Sequence, residues 1–137
     1  MMHAHALENG ARYFPERPAF SSATTRVTFR ELNARVTRIA VALSQRGFVA
    51  GDRLALLLPN GLEYLELLYA CAWLGVIAVP LNTRFSRVEI DRVLSDASPQ
   101  GLSRHSSLAV PTVPTKWQVV LDQEPLIPDE GSPPQAI

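Results

Sequence analysis

The sequence predicts an α/β fold with a parallel sheet, and three observations lead to this prediction. Short apolar runs over 53–58 and 76–80 are bounded by turn residues, as is typical of strands buried on both faces. Segments with helical periodicity, 61–74 and 86–97, follow these two runs. The connections are short, so each helix returns the chain to the same sheet and neighbouring strands run parallel through right-handed crossovers.

The N-terminal part of the chain is expected to form a helix and then a hairpin. A helix over 4–14 ends at Pro15, because proline interrupts the backbone hydrogen bonding of a helix. Two short strands, 19–22 and 26–28, are joined by the polar turn 23–25.

The next helix has start and stop signals at both ends. Thr28 and Glu31 have the spacing of a capping box, and Gly47 suits the left-handed residue that follows a helix. Apolar positions from Phe29 to Leu43 line one side of it. The arginines of this region alternate with acids and polar residues and are interpreted as a solvated face: Arg12, Arg17, Arg26, Arg30, Arg35 and Arg38.

The third helix is expected to begin with a capping box formed by Asn60 and Glu63, and to end at Gly75. Within it, Glu63 and Glu66 are the only charged residues. We therefore expect a narrow polar stripe formed by these two carboxylates, with protein covering most of the remaining helix surface.

A fourth helix begins at a further capping box, Ser86 with Glu89, and the pattern changes at Pro99. Seven of the eleven prolines fall in the last 39 residues: Pro99, Pro111, Pro114, Pro125, Pro128, Pro133 and Pro134. The sequence therefore predicts an α/β portion over 1–99 and a proline-rich, mostly extended tail over 100–137, with one candidate strand at 117–121. It leaves open whether the sheet continues directly after Pro99.

Composition excludes several classes of function. Thirteen basic residues balance thirteen acidic ones, so there is no electrostatic case for nucleic acid or an anionic membrane. The uncharged stretch 67–81 is too short for a membrane span, contains Gly75 and ends near Pro80. Cys71 is the only cysteine, which excludes an internal disulfide, and residues 1–6 precede no apolar signal core. A cytoplasmic location is expected.

The sequence offers no residues for a catalytic, cofactor-binding or metal site. Its glycines are scattered, so neither a P-loop nor a G-x-G-x-x-G pattern exists: Gly10, Gly47, Gly51, Gly61, Gly75, Gly101 and Gly131. Lys116, the only lysine, is interpreted as a solvated linker residue. His3, His5, His105 and Cys71 do not have the spacing of a four-ligand metal site, and Cys71 is typical of a buried hydrophobe. No G-x-S-x-G elbow indicates a serine hydrolase.

Four segments nevertheless resemble a known family. Residues 14–20 (FPERPAF), 27–32 (VTFREL) and 51–60 (GDRLALLLPN) resemble the opening of an adenylate-forming, or AMP-binding, enzyme, and the acyl-CoA synthetase branch fits best. Residues 70–84 (ACAWLGVIAVPLNTR) are similar to the second conserved core motif of that family. The segments occur in the family's order and spacing over roughly the first hundred residues.

This resemblance implies that the chain forms the N-terminal part of the large domain of an adenylate-forming enzyme. The complete family enzyme uses ATP and Mg to convert a carboxylic acid to an acyl-adenylate, and the thiol of CoA then displaces AMP. Its chemistry requires a glycine-, serine- and threonine-rich phosphate loop, a magnesium-binding acid and a catalytic lysine. None matches a position in these 137 residues, so we expect a truncated or split synthetase that is inactive alone, with the missing C-terminal remainder as its partner.

Two further interpretations remain open. In the first, the chain is a non-catalytic binding module or complementing subunit that pairs through an exposed sheet edge. In the second, it is an unrelated small α/β nucleotide-binding protein. Asn82, Thr83 and Arg84 follow the carboxyl end of a predicted strand, where open α/β sheets bind ligands. The simpler interpretation gives Asn82 a role in the turn and Arg84 an ion pair.

Overall fold

The computed structural model describes residues 4–126, which form an α/β fold and confirm the predicted class. His3, and the part of the predicted tail beyond residue 126, lie outside the described residues. Within the described range there are four helices and six strands: α1 Ala4–Tyr13, β1 Pro18–Ser21, β2 Arg26–Thr28, α2 Phe29–Gln45, β3 Arg53–Leu57, α3 Leu62–Leu74, β4 Ile77–Pro80, α4 Arg87–Ala97, β5 Gly101–Arg104 and β6 Trp117–Val120.

The larger of the two sheets has the strand order β4-β3-β5-β6, and every neighbouring pair is parallel. The predicted parallel sheet is therefore confirmed, and the candidate strand at 117–121 is present as β6. The sequence had left the next strand after Pro99 open, and the structure places β5 there, between β3 and β6. The division of the chain at residue 99 stays a prediction, although both later strands belong to this sheet.

The predicted hairpin is confirmed as a separate two-stranded antiparallel sheet of β1 and β2. The amide of Ser22 donates to the carbonyl of Thr25 at 2.7 Å and closes the turn. This hairpin leads directly into α2, whose first residue follows the last residue of β2.

The four-stranded sheet has helices on both faces. Leu54 and Leu56 of β3 belong to the apolar core formed with α1, α2 and α3, whereas Ala55 and Leu57 pack with Ile90 of α4 and its neighbours. Successive side chains of a strand point to opposite faces, so the two cores lie on opposite sides of the sheet. β3 is therefore buried on both faces, as its continuous apolar run predicted.

Two of the three predicted capping boxes are present. The Thr28 hydroxyl accepts the Glu31 amide at 3.2 Å and the Glu31 carboxylate accepts the Thr28 amide at 3.1 Å. Ser86 and Glu89 make the same reciprocal pair at the start of α4. The third prediction is wrong: α3 begins at Leu62 with Gly61 as its N-cap and no side-chain cap. Because the helix starts later, Glu63 is its second residue, one position short of the capping-box site.

An aromatic pair explains why β5 begins with glycine instead of an apolar residue. The rings of Phe48 and Trp117 meet edge to face, with centroids 5.3 Å apart. A Cβ atom at Gly101 would lie 2.5 Å from the Phe48 ring and 2.7 Å from the Trp117 ring. Glycine at this position therefore lets β5 pass beneath the two rings.

The connection from β5 to β6, residues 105–116, contains no helix and is held against α4 by Asp91. The Asp91 carboxylate accepts the amides of Thr112 and Val113 at 2.8 and 3.2 Å and the Thr112 hydroxyl at 2.6 Å. The hydroxyl hydrogen bond of Thr112 is the main cause that lowers the pKa of Asp91 below its usual value. The Asp91 carboxylate of α4 thus holds the helix-free crossover at two consecutive residues, Thr112 and Val113.

The prediction that Glu66 belongs to an exposed polar stripe of α3 is wrong. Its side chain is buried, with 1% of its surface exposed. The Arg35 guanidinium of α2 donates to it through Nε at 2.6 Å and through Nη2 at 3.2 Å. Burial raises the pKa of Glu66, and the hydrogen bonds and charge of Arg35 lower it by less. Arg35 therefore does not belong to the solvated face that its sequence pattern indicated.

We expect Glu66→Ala to lower the free energy of unfolding by about 2 kcal/mol, because it leaves the half-buried Arg35 without its carboxylate. Glu63→Ala, on the exposed side of the same helix, is the matched control and is expected to cost about 0.5 kcal/mol or less. The double variant Arg35→Met with Glu66→Leu should recover to within about 1 kcal/mol of the parent. Urea denaturation measures all three, and equal losses for the two glutamates would contradict the assignment.

Ser103 of β5 is fully buried, and its hydroxyl has no hydrogen-bond partner in the described structure. It lies opposite Leu56 and Val119 on the neighbouring strands, and therefore on the α2 and α3 side of the sheet. A buried hydroxyl without a partner loses its hydration without compensation.

We therefore expect Ser103→Ala to raise the free energy of unfolding by about 1 kcal/mol, since the substitution keeps Cβ and removes the uncompensated hydroxyl. Ser95→Ala, at an exposed position of α4, is a control expected to stay within about 0.5 kcal/mol of the parent. Thermal and urea unfolding report the difference. A loss of stability in Ser103→Ala would show that the hydroxyl does have a buried partner.

Candidate functional site

The carboxyl ends of all four parallel strands lie along one edge of the sheet, and this edge is the candidate site. In the order of the strands, the residues that follow them are Asn82 to Arg84 after β4, Asn60 after β3, His105 after β5 and Asp122 after β6. Open α/β sheets bind ligands at this edge. The loops there tolerate changes in sequence, while the rigid strands hold these loops in position.

Asn82 has the turn role that the simpler interpretation gave it. Its Oδ1 accepts the Arg84 amide at 2.9 Å, and its backbone carbonyl accepts the Phe85 amide at 3.0 Å. These bonds shape the turn that leads to Ser86, the N-cap of α4. Thr83 and Arg84 are exposed, and no ion pair joins Arg84 to another residue in the described part of the chain, so the expected ion pair is absent there.

A polar cluster that the sequence did not predict joins the ends of β5 and β6. The Asp122 carboxylate accepts the Ser106 amide at 3.0 Å and also the Ser106 hydroxyl. His105 Nδ1 and Ser107 Oγ lie 2.8 Å apart, and His105 Nε2 is 3.8 Å from Asp122 Oδ2. The hydroxyl of Ser106 is the main cause that lowers the pKa of Asp122, and the charge of His105 contributes least.

The geometry of this cluster suits a structural link better than nucleophile activation. The His105 to Asp122 distance of 3.8 Å exceeds that of a hydrogen bond, so the carboxylate does not orient the imidazole directly. The same carboxylate is already occupied by both donors of Ser106. The cluster therefore ties the β5 and β6 loops together at the candidate edge.

Two candidates from the sequence lie away from this edge or are chemically inert. Cys71 is buried, and burial raises the pKa of its thiol to about 12, which agrees with its interpretation as a small hydrophobe. Lys116 stands just before β6, at the opposite end of the strand, and lines a cavity of about 90 Å³ with Arg46 and Trp117.

No group of three or more acidic, histidine or cysteine side chains in the described residues is arranged to hold a metal ion.

Two cavities of more than 400 Å³ among the described residues lack the phosphate-binding groups that a nucleotide requires. One, of about 460 Å³, is lined by Glu31, Arg35 and Arg38 among others; the second, of about 440 Å³, is apolar and lies between α3 and β4. Both fall within the usual range of ligand pockets, about 300–1,000 Å³. Neither cavity is lined by a glycine-rich loop whose amides would hold phosphates.

None of the helices in the described range is long and apolar enough to cross a membrane. The uncharged stretch 67–81 is accounted for by the second half of α3 followed by β4. The sequence predicts a buried helix that runs into a buried strand here, and the order of helix and strand is as predicted. The burial of the strand is wrong: β4 is the outer strand of the sheet, and Ile77 is 49% exposed.

Comparison with known proteins links this fold to one family. A family model described as "AMP-binding enzyme" matches residues 7–136. The chain is 40% identical over 93 residues to the long-chain fatty acid CoA ligase FadD13 of Mycobacterium tuberculosis, a match that covers 66% of this chain and 18% of that protein. It is 42% identical over 87 residues to a feruloyl-CoA synthase of Amycolatopsis sp., covering 64% of this chain and 18% of that enzyme.

Solved structures agree with the sequence matches. A fatty acyl CoA synthetase of Mycobacterium tuberculosis matches with a TM-score of 0.78 and 30% identity, over 87% of this chain and 26% of the solved one. The N-terminal domain of FACL13 from the same organism matches with a TM-score of 0.79 and 30% identity, over 89% and 34%. O-succinylbenzoate CoA synthetase of Bacillus subtilis, in complex with AMP, matches with a TM-score of 0.75 and 33% identity, over 85% and 31%.

The chain spans about a fifth of the length of the relatives it matches: 18% for both the mycobacterial fatty acid CoA ligase and the feruloyl-CoA synthase. The matched part includes both helical layers and all four strands of the parallel sheet, since the family model extends over residues 7–136. This chain therefore belongs to the family of AMP-binding, adenylate-forming enzymes, and its fold is that of the N-terminal part of their large domain.

Proposed function

We propose that these 137 residues form the N-terminal sheet module of an AMP-forming acyl-CoA ligase and do not activate a substrate by themselves. The observation that carries the proposal is the unequal coverage: the match uses 87% of this chain and only 26% of the solved fatty acyl CoA synthetase. In the family reaction, ATP converts a carboxylic acid to an acyl-adenylate and CoA then takes the acyl group. The module supplies strands and helices that hold the site.

The distribution of chemical groups supports the lack of independent activity. The glycines of the sequence occur singly, and its one lysine lies at the amino end of β6, away from the carboxyl edge of the sheet. A phosphate-binding loop needs consecutive backbone amides and a cation at the same edge. In this proposal ATP, Mg and CoA are bound by residues outside 1–137.

The names of the relatives support a substrate class and not a particular acyl group. They comprise a long-chain fatty acid CoA ligase, a feruloyl-CoA synthase and 2-succinylbenzoate CoA ligases, each similar to 61–66% of this chain at 34–42% identity. Similarity to this chain is thus compatible with aliphatic and aromatic acids alike. The proposed substrate is a carboxylic acid that becomes a CoA thioester.

The second candidate function is that of a complementing subunit, and the open edges of the sheet favour it. β4 and β6 each have one neighbour in the described sheet. An unpaired strand edge is a template for another chain. In this case the module associates with a separate polypeptide that carries the catalytic groups.

The isolated chain should give no ATP-pyrophosphate exchange with fatty or aromatic acids, because the phosphate-binding groups that the family reaction requires are not among its residues. A chimera in which this chain replaces the matched segment of the mycobacterial fatty acid ligase should give exchange with fatty acids. The unmodified mycobacterial enzyme is the positive control. Exchange by the isolated chain would contradict the proposed lack of activity, and a folded but silent chimera would contradict the proposed family role.

In the same chimera we expect Arg84→Ala to leave kcat/KM within about twofold of the parent, because the Arg84 side chain is exposed and the turn hydrogen bond to Asn82 uses only the Arg84 backbone amide, which the substitution keeps. Asn82→Ala should instead lower the free energy of unfolding by about 1 kcal/mol through loss of the turn hydrogen bond to the Arg84 amide. Arg92→Ala, an exposed change on α4, is the control for charge removal. A tenfold loss in kcat/KM for Arg84→Ala alone would place this residue in the ligand site.

A further inference from the structure

One face of α2 carries three charged side chains that line the same cavity. Glu31, Arg35 and Arg38 follow each other at spacings of four and three residues, so they form a row along the helix. The cavity of about 460 Å³ lies where this row meets the hairpin and the start of α3, which contribute Thr25 and Leu62 to its lining. These charges decide what kind of molecule the cavity suits.

Two of the three charged side chains already have partners. The Arg35 guanidinium donates two hydrogen bonds to the buried Glu66, at 2.6 and 3.2 Å. The Glu31 carboxylate accepts the Thr28 amide, and this hydrogen bond is the main cause that lowers the pKa of Glu31, so the carboxylate is ionised at neutral pH. The side chain of Arg38, in contrast, makes no hydrogen bond or ion pair with any residue in the range 4–126.

Arg38 is a cation that has lost part of its hydration. Its side chain is half-buried, and its Nε is buried without a hydrogen-bond partner in the described structure. The two Nη groups are not among the buried atoms, so they are the donors that a ligand in the cavity can reach. An anion gains more from a partly desolvated cation than from one in bulk water, because the local dielectric constant is lower.

The rest of the lining favours a singly charged anion with an apolar part. Glu31 lies about 10 Å from Arg38 along the helix axis, so a second negative charge on the ligand would approach Glu31 and be repelled. Ala34 and Leu62 add apolar surface to the same cavity. The Nη groups of a guanidinium donate in parallel, which matches the two oxygens of a carboxylate.

We propose that this cavity binds a small monocarboxylate, whose two oxygens accept from the Nη groups of Arg38 and whose hydrocarbon part contacts Ala34 and Leu62. The Thr25 hydroxyl supplies a further donor in the lining. None of the residues that follow the four strands at the candidate edge lines this cavity. The site is therefore separate from that edge, and the inference does not depend on the proposed function.

The first test measures binding of benzoate to the full 137-residue chain by proton–nitrogen NMR. The amides of Ala34, Arg38 and Leu62 should shift in a saturable way, because the ligand lies against these residues. Benzamide is the matched control ligand, since it keeps the ring and the planar group but carries no charge. Benzoate should bind at least about tenfold more tightly than benzamide. Equal affinities, or no saturable shift with benzoate, would overturn the proposal.

Inorganic phosphate tests the limit on charge. At neutral pH it should bind more weakly than benzoate, because part of it carries two negative charges and none of it has an apolar body. Tighter binding of phosphate at the same amides would show a general anion site and would overturn the assignment to a carboxylate.

Arg38→Met removes the guanidinium and keeps a long apolar side chain, so it should weaken benzoate binding at least about tenfold. Arg30→Met is the matched control: Arg30 belongs to the same helix, does not line the cavity and pairs with Glu16 at 2.6 Å on the surface. This control should change the dissociation constant less than about twofold. Equal effects of the two variants would mean that binding follows only the overall charge, which contradicts the proposed site.

Glu31→Gln gives a test in which binding is expected to improve, so a loss of folding cannot imitate it. Glutamine keeps an oxygen that accepts the Thr28 amide, and the start of α2 is therefore preserved. Removal of the repelling charge about 10 Å from Arg38 should tighten benzoate binding by about twofold. Weaker binding by this variant would overturn the proposal, since the Glu31 carboxylate would then attract the ligand.

Discussion

Burial of β3 on both faces is the constraint on which the rest of the structure depends. Its residues Leu54 to Leu57 are fully inaccessible to solvent. Each fully buried leucine contributes about 1.5–3 kcal/mol relative to an exposed one, and each depends on the layer that covers its own face of the sheet. The helices α2 and α3 cover one face and α4 covers the other, so neither layer is dispensable for this strand. The same central strand fixes the register of β4 and β5 on its two sides.

Polar side chains of the loops collect at one edge of the sheet that β3 organises. Because all four strands are parallel, their carboxyl ends share one edge, and the turn at Asn82 and the link from Ser106 to Asp122 both lie there. Each of these groups is already engaged in holding a loop. The module therefore shapes the carboxyl edge of its sheet, where open α/β sheets bind ligands, while the chemical groups of the family reaction are proposed to come from residues outside it.

The two outer strands of the sheet, β4 and β6, differ in the backbone groups on their free edges. Pro80 occupies an outward position of β4, where its missing N–H group breaks no hydrogen bond of the described sheet. β6 has no proline within it, and its two outward amides, those of Gln118 and Val120, have no partner among residues 4–126. The two free edges of the described sheet therefore differ in the number of backbone donors that they present.

Local signals in the sequence determined the elements whose causes are local. The hairpin, the capping boxes at Thr28 and Ser86 and the apolar run of β3 depend on neighbouring residues, so they were predictable. Tertiary structure alone decided the rest. Glu66 is buried because Arg35 reaches it from another helix, Gly101 is needed because two rings meet above β5, and His105 meets Asp122 because two strands pair. These contacts join residues 17 to 69 positions apart, and no periodicity within one segment encodes such a distance.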